Sequence, residues 1–367
     1  ISKPSSNLEI IVALGCVVGF VLLFGVFKMC RYLRAAIEGK KAHEAAQRAR
    51  VCRAAALATT MQSSCFLVTL ETFKQMGRIE PHEVVRDKGW FKIVDTYEDL
   101  VKLVASHAIV FISHQWLAWD HPDPDAIQYN EMVQACQQIC QIKDITTDQM
   151  YIFLDYFSIP QNNMSARLSA INTLGVFSSV APFFVVVAPD AVHKDTHATV
   201  NKASYQRRGW CRLEQWGHMC MQGMTNMFWF DGKIGVLKDL GASTEEDTDW
   251  FLDSILVFDG DYTNPDNKEE LVDVILGLYA IVVKRKDGMT KKLNELIQQH
   301  YKNVFPEEYV KGLSHLLEKM MSSDADLSDI TGSPLRFSFS EMTPLDNDLP
   351  EGVCSTFTVD GEPVIEI

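Results

Sequence analysis

The chain has 367 residues, of which 47% are hydrophobic and 22% are charged. This composition suits one or two domains with a buried core and is too varied for a disordered or fibrous chain. The formal net charge of −14 disfavours nucleic acid as the main partner, because phosphate binding needs a basic surface.

The N-terminal part contains an apolar run that predicts a membrane helix. Ile10–Phe27 is eighteen residues long without a charge, near the lower limit for crossing a hydrocarbon layer of about 30 Å. Residues 28–53 follow with eight Lys or Arg against two Glu, and such a basic flank places the rest of the chain in the cytosol. We therefore expect a single-pass membrane protein with a transmembrane helix over residues 8–29, a buried core helix being the alternative. Because the chain opens at Ile1 rather than Met, we also expect a fragment or a processed form.

The next segment is rich in Ala, Arg, Gln and Lys and has few residues that break helices. It predicts a juxtamembrane helical segment over residues 30–77 that serves as a spacer or in self-association. Gly77 and Pro81 mark its end.

The middle of the chain alternates strand and helix patterns. Short apolar runs rich in β-branched residues predict buried parallel strands, and helical stretches separate them. The predicted fold class is α/β, a flavodoxin-like doubly wound parallel sheet over residues 90–235. Its predicted strands are 108–112, 151–155, 183–187 and 227–230, and its predicted helices are 125–142, 166–180 and 208–222.

The C-terminal part divides into two segments. Residues 236–321 predict a mixed, mainly helical extension, with one further strand at 255–258. Residues 322–367 hold ten Asp or Glu against one Arg and lose hydrophobic periodicity, which predicts an acidic disordered tail.

Polar and aromatic side chains follow the predicted strands. Ligands of open α/β sheets bind beyond the carboxyl ends of the strands, so these residues are the candidates for a site. In chain order they are Ser113, His114 and Trp116 after the first strand, Asp155 and Tyr156 after the second, and Arg207, Arg208, Trp210 and Glu214 after the third.

The order of these motifs resembles a TIR (Toll/interleukin-1 receptor) domain. Phe-Ile-Ser ends the first strand, Asp155 ends the second, and Tyr205 precedes Trp210-Cys-x-x-Glu214 in the helix after the third, which is similar to the plant-type members. The resemblance covers about residues 107–235 and implies a cytosolic signalling domain. It also implies hydrolysis of NAD⁺ at the nicotinamide–ribose bond, with Glu214 as the required carboxylate. The sequence departs from the family in the loop at 155–162, which lacks the usual Gly, and at His114–Trp116.

The chemistry of that reaction fits the residue types. Breaking an N-glycosidic bond builds positive charge on the ribose, which a nearby carboxylate stabilises. Trp116, Tyr156 or Trp210 would stack on a ring, while Arg207, Arg208 and Arg212 would pair with the pyrophosphate. NAD⁺ would be the substrate, and we expect neither a cofactor nor a metal.

Two other functions compete with NAD⁺ cleavage. Glu214 and Trp210 can also serve only the helix dipole and the core, in which case the domain is a non-catalytic signalling module that acts by homotypic association. With or without catalysis, we expect a homo-oligomer formed through the TIR-like domain. A Cys–His hydrolase using Cys211 and His114 is the third hypothesis. Nine cysteines without dense spacing predict free thiols in a reducing compartment.

Overall fold

A computed structural model describes most of the chain. Backbone is described for residues 6–242, 245–285, 288–314, 317–318, 358–359 and 362–363, and side chains for 14–15, 18–241, 250–285, 290–314 and 317–318. The strands in these ranges are β1 (Cys65–Thr69), β2 (Lys92–Val94), β3 (Ala108–His114), β4 (Met150–Leu154), β5 (Phe183–Val187), β6 (Ala191–Val192), β7 (Thr199–Val200), β8 (Met227–Asp231), β9 (Val236–Asp239), β10 (Thr358–Val359) and β11 (Glu362–Pro363). The helices are α1 (Ser6–Leu57), α2 (Leu70–Met76), α3 (His82–Asp87), α4 (Tyr97–Val104), α5 (Ile127–Lys143), α6 (Asp155–Ser158), α7 (Met164–Val180), α8 (Lys202–Arg207), α9 (Gly209–Gln222), α10 (Glu245–Ile255), α11 (Asn267–Glu270), α12 (Val272–Arg285), α13 (Gly288–Gln299) and α14 (Tyr301–Val304).

The central sheet has seven strands in the order β2-β1-β4-β3-β5-β8-β9. Strands β4, β3, β5 and β8 are parallel, while β1, β2 and β9 add antiparallel edges. The predicted α/β class with a mostly parallel central sheet is therefore confirmed. Across the sheet these four strands follow the order β4-β3-β5-β8. Numbered by their appearance in the chain, this is the order 2-1-3-4, which is compatible with a flavodoxin-like fold.

Strand β3 lies at the centre of the parallel region and is buried along its whole length. The Phe111 ring stacks on Phe153 of β4 and Phe184 of β5, with ring centroids 4.9 and 5.5 Å apart. Two hydrophobic clusters cover the two faces of the sheet. Burial on both faces is why these strands are continuous apolar runs rather than alternating patterns.

The prediction of a wholly helical segment over residues 30–77 is wrong in its last third. Cys65–Thr69 is strand β1, which pairs with β2 on one side and β4 on the other. The Thr69 side chain then caps α2. Sheet neighbours on both sides decide the conformation of this short apolar run, which the helix-forming composition before it does not reveal.

The segment 236–321 is part of the main fold rather than an appended extension. Strand β9 joins the sheet beside β8, and α12 packs against α1 and α9. The strand predicted at 255–258 is not formed, because Ile255 ends α10 and Val257–Asp259 is a short 3₁₀ helix. Such a four-residue apolar run does not distinguish a strand from a buried helical turn.

The predicted disordered tail over residues 322–367 lies outside the described residues, apart from β10 and β11. These two short strands pair antiparallel with each other.

Helix α1 joins the fold through its C-terminal end. Val51, Ala54 and Ala55 are buried there, and Arg50 Nε lies 2.7 Å from Asp273 Oδ1 on α12. A Cβ atom at Gly277 of α12 would lie 2.1 Å from the Ala54 carbonyl oxygen, so the absence of a side chain lets the two helices approach closely.

The earlier part of α1 has an apolar surface without a partner among the described residues. Thirteen large apolar side chains between Leu14 and Ile37 are each more than half exposed. In the part of the chain that the structure describes, no helix combines the length and the apolar character that crossing a membrane requires.

Candidate functional site

An open cleft lies at the carboxyl ends of β3 and β4. Its volume is about 210 Å³. Strand β4 leads into Asp155, and α9 supplies Trp210 and Glu214. The lining residues are Trp116, Asp155, Ile159, Gln161, Arg167, Ile171, Leu174, Trp210 and Glu214.

The start of α9 is fixed by residues much later in the chain. Gly209 N donates a hydrogen bond to Asp261 O at 3.0 Å, and Asp261 N donates to Arg207 O at 2.7 Å. A Cβ atom at Gly209 would lie 2.0 Å from the Tyr262 ring, so only glycine fits between the helix start and that ring. These contacts set where α9 begins and therefore where Glu214 lies.

Glu214 is buried, with 8% of its surface exposed. Ser113 Oγ donates a short hydrogen bond to Glu214 Oε2. The Tyr205 hydroxyl lies 2.6 Å from Ser113 Oγ, and either hydroxyl can be the donor in this contact. Burial raises the pKa of Glu214 to about 8; the Ser113 hydrogen bond opposes this shift and the Asp155 charge adds to it. At neutral pH Glu214 is therefore mainly the neutral acid in the free protein.

Asp155 has more hydrogen-bond donors around it. Its Oδ1 lies 2.9 Å from His114 Nε2 and accepts from Tyr156 N at 2.6 Å, and its Oδ2 accepts from Trp116 Nε1 at 2.9 Å. Burial acts to raise the pKa of Asp155, but His114 and the hydrogen bonds outweigh it and lower the pKa below its ordinary value. Asp155 is therefore ionised at neutral pH.

The cleft thus holds two carboxyl groups whose pKa values are shifted in opposite directions. Asp155 carries a negative charge at neutral pH, while Glu214 exchanges a proton near neutrality. Such a difference between paired acids is typical of sites that stabilise positive charge and move a proton. The aromatic rings of Trp116 and Trp210 line the same space.

The other predicted site residues lie around this cleft rather than in it. His114 is buried and holds Asp155. Tyr156 packs edge-on against Trp116, with ring centroids 5.4 Å apart, and is not among the lining residues. Arg208 precedes α9 and acts on Glu214 through its charge, which lowers the pKa of that carboxyl.

Two of the arginines are placed differently from the prediction. The Arg207 side chain is 68% exposed and its Nε lies 3.9 Å from Asp261 Oδ2, outside the cleft. Arg212 is buried, and its guanidinium donates to the carbonyl oxygens of Gln206 and Leu256. Neither is among the residues that line this cleft.

The geometry gives no support to the Cys–His pair. Cys211 Sγ lies 3.6 Å from the backbone oxygen of His114, and the His114 ring contacts Asp155 instead. Burial raises the pKa of the Cys211 thiol, which is the opposite of what a nucleophilic thiolate needs.

Sequence reasoning missed Arg167, the one basic residue among the lining residues. It lies four positions after Asn163, whose side chain caps α7. The motif that predicted the site ends before α7, so the only available signal was the place of Arg167 in the first turns of the helix after the second predicted strand.

Comparison of the chain with family models, with curated proteins and with solved structures finds no match. Among the described residues, no group of three or more His, Cys, Asp or Glu is placed to hold a metal ion. The chemistry of the site is therefore inferred from its own side chains.

Replacing Glu214→Gln tests the pKa of this carboxyl through stability. The folded pKa of about 8 exceeds the ordinary value of 4.5, so the unfolded chain loses this proton first as pH rises. The wild-type free energy of unfolding should therefore fall relative to E214Q between about pH 5 and 8, by up to about 1.4 kcal/mol per pH unit, and the difference should level off above pH 8.

Urea unfolding of both proteins at pH 5, 6.5 and 8 measures this difference. Glu98→Gln, whose side chain is 80% exposed on α4, is the matched control and should leave the pH slope unchanged. A constant difference between E214Q and wild type across the range would contradict the raised pKa.

Proposed function

We propose that this chain is a membrane-anchored, TIR-like signalling protein whose α/β domain hydrolyses NAD⁺ at the nicotinamide–ribose bond. The observation that carries the proposal is the position of Glu214: it lines an open cleft together with Asp155, Trp116 and Trp210. Glu214 is the carboxyl that the resemblance to the family marks as required.

The two carboxyl groups account for the charge that develops in this reaction. Breaking the bond between nicotinamide and ribose leaves positive charge on the ribose, and nicotinamide departs as a neutral base that needs no proton. A bound pyridinium ring near Glu214 favours the ionised carboxyl, so substrate binding releases the Glu214 proton. The carboxylates of Glu214 and Asp155 then stabilise the ribosyl cation until water adds to it, which yields ADP-ribose and a proton.

The size of the cleft limits how much of the substrate it holds. At about 210 Å³ it is smaller than sites that enclose whole drug-sized ligands, roughly 300–1,000 Å³. It suits the nicotinamide and its ribose, with the rings of Trp116 and Trp210 as stacking surfaces. The adenosine end would extend through the open mouth onto the surface.

The order of the strands supports the TIR-like part of the proposal. The parallel strands, numbered by their appearance in the chain, lie in the order 2-1-3-4 across the sheet, as in flavodoxin-like folds. The motif residues Ser113, Asp155 and Glu214, which lie far apart in sequence, converge at one edge of this sheet. That convergence is what a shared site requires.

The membrane part of the proposal rests on α1. The uncharged run Ile10–Phe27 and the basic residues after it predict an anchor with the α/β domain on the cytosolic side. The exposed apolar side chains between Leu14 and Ile37 form a surface that needs a cover. We assign the bilayer to that surface, since lipid covers a helix on every side.

Exposed apolar residues near the cleft favour a second candidate function, a non-catalytic assembly module. Met164 and Leu168 on the first turns of α7 are 64% and 53% exposed, one helical turn apart and next to the lining residue Arg167. Such residues are typical of contacts between proteins, and they would serve homotypic association with or without catalysis.

Glu214→Gln tests the catalytic proposal, because it keeps the shape and the hydrogen bond from Ser113 but removes the charge. The full chain in lipid vesicles, at high surface density to allow assembly, should release nicotinamide from NAD⁺. E214Q should lower kcat/KM at least about 100-fold, the usual effect of losing one group that stabilises developing charge.

Chromatography of the products measures nicotinamide and ADP-ribose, and Glu98→Gln is the control that should keep full activity. Persistence of activity in E214Q would refute the role of Glu214. Absence of nicotinamide release by a self-associated wild-type chain would favour the assembly module.

Leu22→Asp combined with Leu23→Asp tests the anchor, because two charges at these exposed positions make insertion into lipid unfavourable. The wild-type chain should float with phosphatidylcholine vesicles in a density gradient, and the double variant should not. Ala45→Asp, exposed on α1 beyond the apolar stretch, is the control. A wild-type chain that stays at the bottom of the gradient as a stable dimer would assign this surface to a second copy instead.

A further inference from the structure

Arg167 gives the cleft its one basic side chain among the lining residues. Arg167 lies on α7. Among the described residues it forms no ion pair with an acidic side chain. The same cleft contains the carboxyl groups of Asp155 and Glu214. The cleft therefore presents two acids and one guanidinium to a single ligand.

The guanidinium of Arg167 is only partly used by the protein. Its Nη2 donates a short hydrogen bond to Gln161 O and lies 3.4 Å from Gln161 Oε1. Its Nε is buried and has no hydrogen-bond partner among the described residues. Buried donors are nearly always paired in folded proteins, so this unpaired nitrogen shows that the protein itself does not use all the donors of the Arg167 guanidinium.

The loop that holds Arg167 is itself fixed. Gln161 N and Asn162 N donate to Glu83 Oε1 at 2.9 and 2.7 Å. Arg167 N also donates to Asn163 O at 2.8 Å in the first turn of α7. The guanidinium is thereby held in one orientation before a ligand binds, which favours recognition of an anion with matching geometry.

We propose that Arg167 binds the phosphate carried by the nicotinamide-bearing ribose of the substrate and so makes the site specific for phosphorylated nicotinamide ribosides. This inference rests on the proposed NAD⁺ cleavage and adds the residue that reads the substrate's anion. Arginine's fork of donors matches phosphate oxygens. A cationic ring and a phosphate on one ribose complement the two acids and the guanidinium of this cleft.

Arg208 is the competing cation. It acts on Glu214 through its charge, but it is not among the residues that line the cleft. If it held the phosphate instead, Arg208→Gln rather than Arg167→Gln would remove the preference for phosphorylated substrates.

The test compares three substrates: NAD⁺, nicotinamide mononucleotide and nicotinamide riboside, which lacks the phosphate. In the full wild-type chain, kcat/KM should be higher for the two phosphorylated substrates. Arg167→Gln should lower kcat/KM for these two by about 10- to 100-fold, the range for losing a charge-assisted hydrogen bond, and leave that for the riboside unchanged. Arg167→Lys should fall between, and Arg53→Gln, exposed on α1, should change nothing.

The ratio between substrates separates recognition from damage to the loop. A variant that misplaces the loop would lose activity on all three substrates equally, and that result would overturn the assignment while leaving the proposed function intact. Calorimetry of nicotinamide mononucleotide and the riboside with E214Q gives a readout without turnover. Tighter binding of the mononucleotide to E214Q that disappears when Arg167→Gln is added would support the assignment, whereas equal or absent binding of the two ligands to E214Q would overturn it.

Discussion

The site depends on one buried carboxyl group held at the end of a central strand. Glu214 has a single described donor, Ser113, whereas Asp155 has three and keeps 28% of its side chain exposed. Burial has the largest effect on the pKa of Glu214 and raises it, whereas His114 and the hydrogen bonds lower the pKa of Asp155. The two neighbouring acids therefore take different charge states at neutral pH. Burying a carboxyl group beside a charged one costs folding free energy, and the strands and α9 hold both groups in place despite this cost. Strongly shifted pKa values of this kind cluster at functional sites.

The C-terminal half of the chain positions this carboxyl group. Asp261 and Tyr262 fix the start of α9, and Gln206 of α8 donates to the Trp250 carbonyl and to Ser254 Oγ of α10. Helix α12 packs behind α9 and also contacts α1. A domain boundary at residue 235 would therefore cut through the support of the site. The same packing connects the site to the helix that we propose as the anchor.

The sequence was informative where burial on both faces leaves continuous apolar runs, as in β3, β4, β5 and β8. It also predicted that Ser113, Asp155 and Glu214 lie together, because the carboxyl ends of neighbouring parallel strands meet at one edge. It could not reveal β1, whose pairing depends on strands distant in sequence, nor which arginine lies in the cleft. Which arginine lies in the cleft is decided by the turn around Gly209 and by the loop at Gln161. Both are held by contacts with residues distant in sequence, which the local sequence pattern does not show.

Infrared difference spectroscopy of the side-chain carboxyl groups tests the central claim most directly, because it separates neutral from ionised acids without a substrate. At pH 7 the wild-type chain should show a protonated carboxyl band that is missing in E214Q, still present in Asp155→Asn, and lost in the wild type as the pH rises past about 8. Identical spectra of wild type and E214Q at pH 7 would mean that Glu214 is already ionised, and would contradict the account.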